Sequence, residues 1–124
     1  MVELPRLMFA ADASGSGKTS LTCAFLILLA RRGLRPCAFK CGPDYIDPMF
    51  HRQIAGVDSW NLDLFFSDGE QVRQLMSRHG TGRDIAVVEG VMGYYDGVAG
   101  TDRASSWDLA RQTGTPAVLV VSPG

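Results

Sequence analysis

Leu7-Met8-Phe9-Ala10-Ala11-Asp12-Ala13-Ser14-Gly15-Ser16-Gly17-Lys18-Thr19-Ser20-Leu21-Thr22 is the stretch whose reading decides the fold. A short apolar run passes into a glycine-rich loop and then into a helical pattern. Residues 4–11 read as a strand and residues 18–32 as a helix. Leu21, Ala24, Phe25, Leu28 and Leu29 fall at i, i+3, i+4, i+7 and i+8, the stripe of a core-facing helix. Leu26 and Ile27 widen the stripe, which predicts cover on more than one side. Gly33 after Arg31 and Arg32 fits a helix stop, where the carbonyl end favours cations.

The loop between strand and helix carries Ser14, Gly15, Ser16, Gly17, Lys18 and Thr19, a phosphate-binding pattern in the context it requires. Glycines let backbone N–H groups curl around phosphate oxygens, and the helix N-terminus adds partial positive charge there. Lys18 can reach the outer phosphates, and the Thr19 hydroxyl can ligate Mg²⁺. Asp12 stands where the strict pattern has a glycine, so the match rests on Gly15 and Gly17-Lys18-Thr19.

Outward from this unit, strands and helices alternate. Residues 35–40 read as a second strand. Residues 42–56, with Pro43 and Pro48, read as irregular. Residues 67–79 form a helix with Ser67 and Glu70 at capping-box spacing and Val72, Leu75 and Met76 on one face. Residues 85–89 are a continuous apolar run ending in Glu89, as in a strand buried on both faces of a parallel sheet. A helix over 106–113 and a strand over 117–121 follow. Four strands joined by helices imply right-handed crossovers and a parallel sheet.

The 124 residues suit one domain, and 46% hydrophobic with 20% charged residues argues against disorder. A net charge of −1 leaves no basic excess for a nucleic acid backbone. The longest apolar run, residues 21–30, is about half of the ~20 residues a spanning helix needs. Glu3 stands where a signal peptide would be basic, so a cytoplasmic, non-membrane protein is expected. Cys23, Cys37 and Cys41 read as reduced thiols, because an odd count with weak zinc spacing makes neither a disulfide framework nor a metal site.

The chemistry-bearing residues cluster after strand ends, where ligands bind in open α/β sheets. Lys40-Cys41-Gly42-Pro43-Asp44-Tyr45-Ile46-Asp47-Pro48 sets a lysine beside carboxylates, as phosphate with Mg²⁺ requires. The same letters serve equally as a turn. Glu89 ends the third strand in the position of a metal-holding carboxylate, and its burial demands a cation or donor. Asp96 precedes Gly97, which by spacing reads as a turn. His79 lies on an apolar helix face and reads as structural, His51 is a lone histidine, and Trp60 and Trp107 read as packing residues.

Taken in order, the phosphate loop, the run from Lys40 through Asp47-Pro48-Met49-Phe50-His51, Asn61-Leu62-Asp63, and Glu89-Gly90-Val91-Met92-Gly93 through Tyr95-Asp96-Gly97 resemble cobyrinic acid a,c-diamide synthase. That family belongs with dethiobiotin synthetase among P-loop ligases. The resemblance covers nearly the whole chain, and the run ending at His51 is its most specific part. It implies a three-layer P-loop NTPase-like α/β fold with a mostly parallel sheet, truncated. Residues 1–124 would be the N-terminal part of the ATP-dependent synthetase domain, without the glutamine amidotransferase domain.

The implied reaction uses ATP and Mg²⁺ to activate two tetrapyrrole carboxylates as acyl phosphates, which ammonia from glutamine converts to amides. By position, the loop residues 14–19 would hold the nucleotide, and Thr19, Asp47 and Glu89 the Mg²⁺. Lys40, Asp44 and Asp96 would lie at the reacting centre, and Tyr45 and Ile46 would place the substrate carboxylate. Ammonia would come from a missing or separate amidotransferase. The last strand would lack neighbours and expose a Val-rich edge, so a homo-oligomer is expected. Two other readings remain: a nucleotide-binding module without turnover, and another P-loop ligase such as dethiobiotin synthetase. The run 43–48 argues against the latter.

Overall fold

The computed structural model describes residues 4–12, 17–44, 46–97 and 101–121. Nine elements follow one another: β1 (Arg6–Ala11), α1 (Lys18–Arg31), β2 (Pro36–Cys41), α2 (Ile46–Ala55), β3 (Ser59–Leu62), α3 (Gly69–Gly80), β4 (Ile85–Glu89), α4 (Ser106–Thr113) and β5 (Ala117–Val120). The strands form one sheet in the order β3-β2-β4-β1-β5, and every pairing is parallel.

Alternation along the strands divides the core between the two sheet faces. Met8, Ala10, Cys37, Phe39, Leu62, Ala86 and Val88 pack under α3 and α4, against Val72, Met76, Leu109 and Ala110. Phe9, Ala38 and Val87 face the other way, against Leu26 and Leu29 of α1 and Ala55 and Val57 at the end of α2. The molecule is therefore three-layered, as the family resemblance implies.

Several expectations need correction. The sheet has five strands rather than four. β3 was not anticipated because Ser59-Trp60-Asn61-Leu62 is short and half polar. Its Leu62 enters the α3 side of the core, Trp60 packs against that side, and Ser59 is buried. Trp60 stacks on the His79 ring at 3.9 Å and leans on Phe39 at 5.8 Å, so both Trp60 and His79 are packing residues. The segment read as irregular contains α2. Pro48 is the third residue of that helix, where its missing N–H is not needed for a helical bond.

The α1 face also differs. Lys18, Thr22, Cys23, Leu26 and Leu29 are buried, whereas Leu21 and Leu28 are 40% and 46% exposed. α1 is apolar nearly all round, so its composition does not select a face. Docking that buries Lys18 and directs Thr19 toward β4 selects it instead. The end of α1 is as expected: Gly33 at φ 81° donates to Ala30 and Leu34 donates to Leu29, a Schellman closure.

The capping box of α3 sits one residue later than its spacing suggests. Asp68 accepts from the Gln71 backbone at 2.8 Å and Gln71 returns the bond to the Asp68 N–H at 2.9 Å. At α4, Ser105 caps Asp108, and the buried Asp108 carboxylate accepts from Ala104 N at 2.8 Å and pairs with Arg111 at 2.7 Å. Burial works to raise the Asp108 pKa, but the Ala104, Gln112 and Arg111 contacts outweigh it and hold the carboxyl below its ordinary value. A depressed folded pKa contributes stability above about pH 4 that is lost as acid protonates the group. Asp108→Asn is expected to lower stability at pH 7 by about 1 kcal/mol and to flatten the acid loss below pH ~4, read by urea unfolding across pH.

Candidate functional site

The site forms where the carboxyl ends of β2 and β4 meet the α1/α2 layer. Lys40 and Glu89 are register partners in adjacent strands, and Asn61 of β3 is the partner of Lys40 on its other side. In a parallel sheet such partners point to one face. Lys40 is 3% exposed and Glu89 fully buried.

The Lys40 ammonium spends all three donors inside the cluster: on Asp47 Oδ2 at 2.7 Å, Glu89 Oε2 at 3.1 Å and the Gly90 carbonyl at 2.7 Å. Burial pulls the Lys40 pKa down, but the Glu89 and Asp47 carboxylates outweigh it and hold the ammonium above its ordinary value. Burial likewise works to raise Asp47. Hydrogen bonding within the Glu89–Lys40 cluster and the Lys40 charge prevail and bring it to about 2. The buried carboxylate therefore has the cation that its position at the end of an apolar strand demands.

Thr19 opens α1 with its hydroxyl 2.7 Å from Glu89 Oε2 and 3.2 Å from Asp47 Oδ1. Lys18, beside it, rests its ammonium on the Met92 carbonyl at 2.9 Å. Burial first, and the Lys40 charge second, push the Lys18 pKa below its ordinary value. Gly17 takes φ 84° at the N-cap and offers no side-chain cap, and α1 has no acidic residue in its first turn. An anion can thus approach the helix start without displacing a capping side chain. Gly93 is required by close approach: a Cβ there would lie 2.7 Å from the Asp12 carbonyl and 2.6 Å from Asp96 Oδ2.

A hard cation fits this donor set. A hydroxyl and two carboxylates converge, all oxygen, on two strand-and-helix ends. No group of three or more His, Cys, Asp or Glu forms a closed metal cage among the described residues. Mg²⁺ takes one or two carboxylates and fills the rest of its coordination with phosphate oxygens and water, so Thr19, Asp47 and Glu89 could hold it.

The structure thus brings Lys18, Thr19, Lys40, Asp47 and Glu89 together. Asp44 instead accepts from the Ile46 N–H at 2.9 Å, at the start of α2. Asp96 accepts from the Gly93 N–H at 2.9 Å and is exposed. Both carboxylates close local turns and neither bonds to the Lys40 cluster. Ile46 is 59% exposed on the first turn of α2. Ser14, Gly15, Ser16 and Tyr45 lie outside the described residues.

One member was missed. His51 is fully buried with Nε2 2.8 Å from Glu89 Oε1 and Nδ1 2.7 Å from Ser59 Oγ. Its signal was available: Asp47 and His51 are four apart, so a helix over 46–55 puts both on one face. Reading that segment as irregular hid the relation. The cysteines are free and buried, and burial raises Cys37 and Cys41 to about 11, which leaves them inert.

A parallel sheet with a phosphate-loop lysine and threonine facing two carboxylates defines a P-loop nucleotide-binding domain. The fold is shared with the 54 kDa signal recognition particle protein of Aeropyrum pernix K1, solved with GDP, at a TM-score of 0.64 and 17% identity over 96% of this chain and 29% of that one. The family model of the CobQ/CobB/MinD/ParA nucleotide binding domain (CbiA) matches residues 7–119, and the chain belongs to that family. It is 45% identical over 120 residues to cobyrinate a,c-diamide synthase of Thermoplasma acidophilum, covering 97% of this chain and 27% of the relative. It is 49% identical over 125 residues to hydrogenobyrinate a,c-diamide synthase of Rhodobacter capsulatus, covering 98% and 28%. The chain therefore spans about a quarter of the length of these curated relatives.

Removing one partner of a buried ion pair strands the other. Lys40→Met is expected to cost about 3–5 kcal/mol, and the double change Lys40→Met with Glu89→Gln distinctly less than the sum. Urea unfolding of the cycle reads the difference.

Proposed function

We propose that the chain is the nucleotide-binding part of an ATP- and Mg²⁺-dependent amidoligase acting on the a and c side-chain carboxylates of a cobyrinate-type tetrapyrrole. Residues 1–124 correspond, on this reading, to the N-terminal part of its synthetase domain. Ammonia is supplied from glutamine by an amidotransferase unit in the same or another chain. The observation that carries the reading is the Thr19–Lys40–Asp47–Glu89 cluster at the start of α1, in which Lys40 and Glu89 are buried. The family match and the synthase relatives support it.

A substrate carboxylate oxygen attacks the γ-phosphorus of ATP and the bond to the β-phosphate oxygen breaks, leaving ADP and an acyl phosphate. Ammonia then adds to the acyl carbon, inorganic phosphate leaves, and a proton is lost to give the amide. Both steps need positioning and charge neutralisation more than covalent help from the protein. In this reading the loop residues Ser14 to Gly17 and the first N–H groups of α1 bind phosphate oxygens. Lys18 exchanges the Met92 carbonyl for the β/γ phosphates. Lys40 stays fixed by its three acceptors as a buried positive charge beside the transferred group. Thr19, Asp47 and Glu89 would hold Mg²⁺, which when bound neutralises phosphate charge. Asp44 and Asp96 stand at the turns flanking the reacting centre, and Tyr45 with Ile46 places the substrate carboxylate.

The remaining expectations belong to the same reading. Among the described residues no helix is long and apolar enough to cross a membrane, and the free thiols accord with the cytoplasm. β5 is an edge strand with Val118 and Leu119 about half exposed, which supports self-association through it. Leu119→Lys is then expected to shift the chain toward monomer in light scattering, and a wild-type monomer at all micromolar concentrations contradicts this.

Titration calorimetry with a non-hydrolysable ATP analogue tests the nucleotide site. Mg²⁺-dependent binding is expected. Lys18→Ala should weaken it about 10- to 100-fold, the loss of a charge-assisted bond, and Thr19→Val should remove the Mg²⁺ dependence. Unchanged affinity in Lys18→Ala overturns the assignment. Addition of tetrapyrrole and ammonia then separates a catalytic unit, which releases ADP, from a module that only binds.

A further inference from the structure

His51 has a relation to the site that phosphate and cation chemistry alone do not require. Its ring is fully buried between α2 and the sheet, with one nitrogen on Glu89 Oε1 and the other on Ser59 Oγ. A carboxylate beside a lysine only accepts, so the proton sits on Nε2. In the tautomer that carries its one proton on Nε2, Nδ1 is an acceptor and takes the Ser59 hydroxyl as its donor. The chain Ser59→His51→Glu89 has one donor and one acceptor at each contact.

Glu89 shares its two oxygens unequally. Oε1 receives His51, whereas Oε2 faces the Thr19 hydroxyl at 2.7 Å and the Lys40 ammonium at 3.1 Å. The terminal torsion of a glutamate is broad, so its own rotamer preference does not hold that aim. Without a donor on Oε1 the carboxylate is free to turn both oxygens onto Lys40 and away from Thr19. Asp47 sits one helical turn before His51, so α2 delivers both a carboxylate and the imidazole that orients the second carboxylate.

We propose that His51 is a positioning residue: through its Nε2–H on Oε1 it aims Glu89 Oε2 at the cation position beside Thr19, with Ser59 setting the tautomer. The proposal rests on the cation site described under Proposed function. Hydrogen-bond partners of ligating carboxylates typically govern metal affinity by about 10- to 100-fold.

Two variants separate orientation from packing. The amide nitrogen of Gln stands near the place of His Nε2 and can still donate to Glu89. The shorter Asn reproduces Nδ1 and reaches Ser59 only. Mn²⁺ affinity in the presence of ADP, read by electron paramagnetic resonance on the full 124-residue chain, is the readout, with metal-free melting as the control for folding. His51→Asn is expected to weaken Mn²⁺ about 10- to 100-fold, and His51→Gln to restore it to within about threefold of wild type. Equal affinity in wild type and His51→Asn overturns the proposal, as does an equal loss in both variants.

A second arm needs no metal. Long-range ¹H–¹⁵N spectra report the tautomer, and the chain holds only two histidines. Protonated Nε2 with bare Nδ1 is expected at His51, and the reverse overturns the relay. A wild-type chain that binds no Mn²⁺ with ADP contradicts the cation site itself, and the tautomer then decides whether His51 still holds Glu89.

Discussion

The buried ion pair between Lys40 and Glu89 is the constraint around which the molecule is arranged. Two charges taken out of water cost several kcal/mol each, and only close pairing with further hydrogen bonds offsets that. The pairing requires β2 and β4 to be neighbours, in parallel, with these two residues in register. It requires Gly90 to bring its carbonyl to the ammonium. It requires α2 to start where Asp47 meets Lys40 at 2.7 Å. Each condition is a statement about the path of the chain, so the charge cluster and the sheet order specify one another.

The same cluster explains why α1 docks as it does. A helix apolar on most sides has several orientations of similar hydrophobic gain. Only one of them buries Lys18 and sets Thr19 between Asp47 and Glu89. Leu21 and Leu28 are left exposed as a consequence. Polar satisfaction thus decided an orientation that burial alone left open, because an unpartnered buried charge is costlier than an exposed leucine.

The legible parts of the chain were those carried by strong local periodicity or by chemistry tied to backbone conformation. β4, α4 and the glycine stop of α1 fall in this group, as does the approach of Thr19 to the strand-end carboxylate of Glu89. α2 was hidden by two prolines, although a proline in a first helical turn forfeits nothing. β3 was hidden because its polar residues face the site rather than solvent. His51 was hidden with α2, since its four-residue spacing from Asp47 has meaning only on a helix.

By itself the sequence determined the alternation of strand and helix, the Gly17-Lys18-Thr19 start of α1, and residue types suited to phosphate and a hard cation. These follow from short-range rules of period, capping and glycine conformation. The tertiary structure alone decided which carboxylates are partners. Asp47 and Glu89 joined the Lys40 cluster, Asp44 and Asp96 turned back onto their own loops, and His51 entered from a helix eight residues before its other partner, Ser59. Those choices depend on strand order and helix docking, which set Glu89 against Lys40 at a separation of 49 positions and against His51 at 38, and in a chain that pays for every buried charge, that geometry settles them.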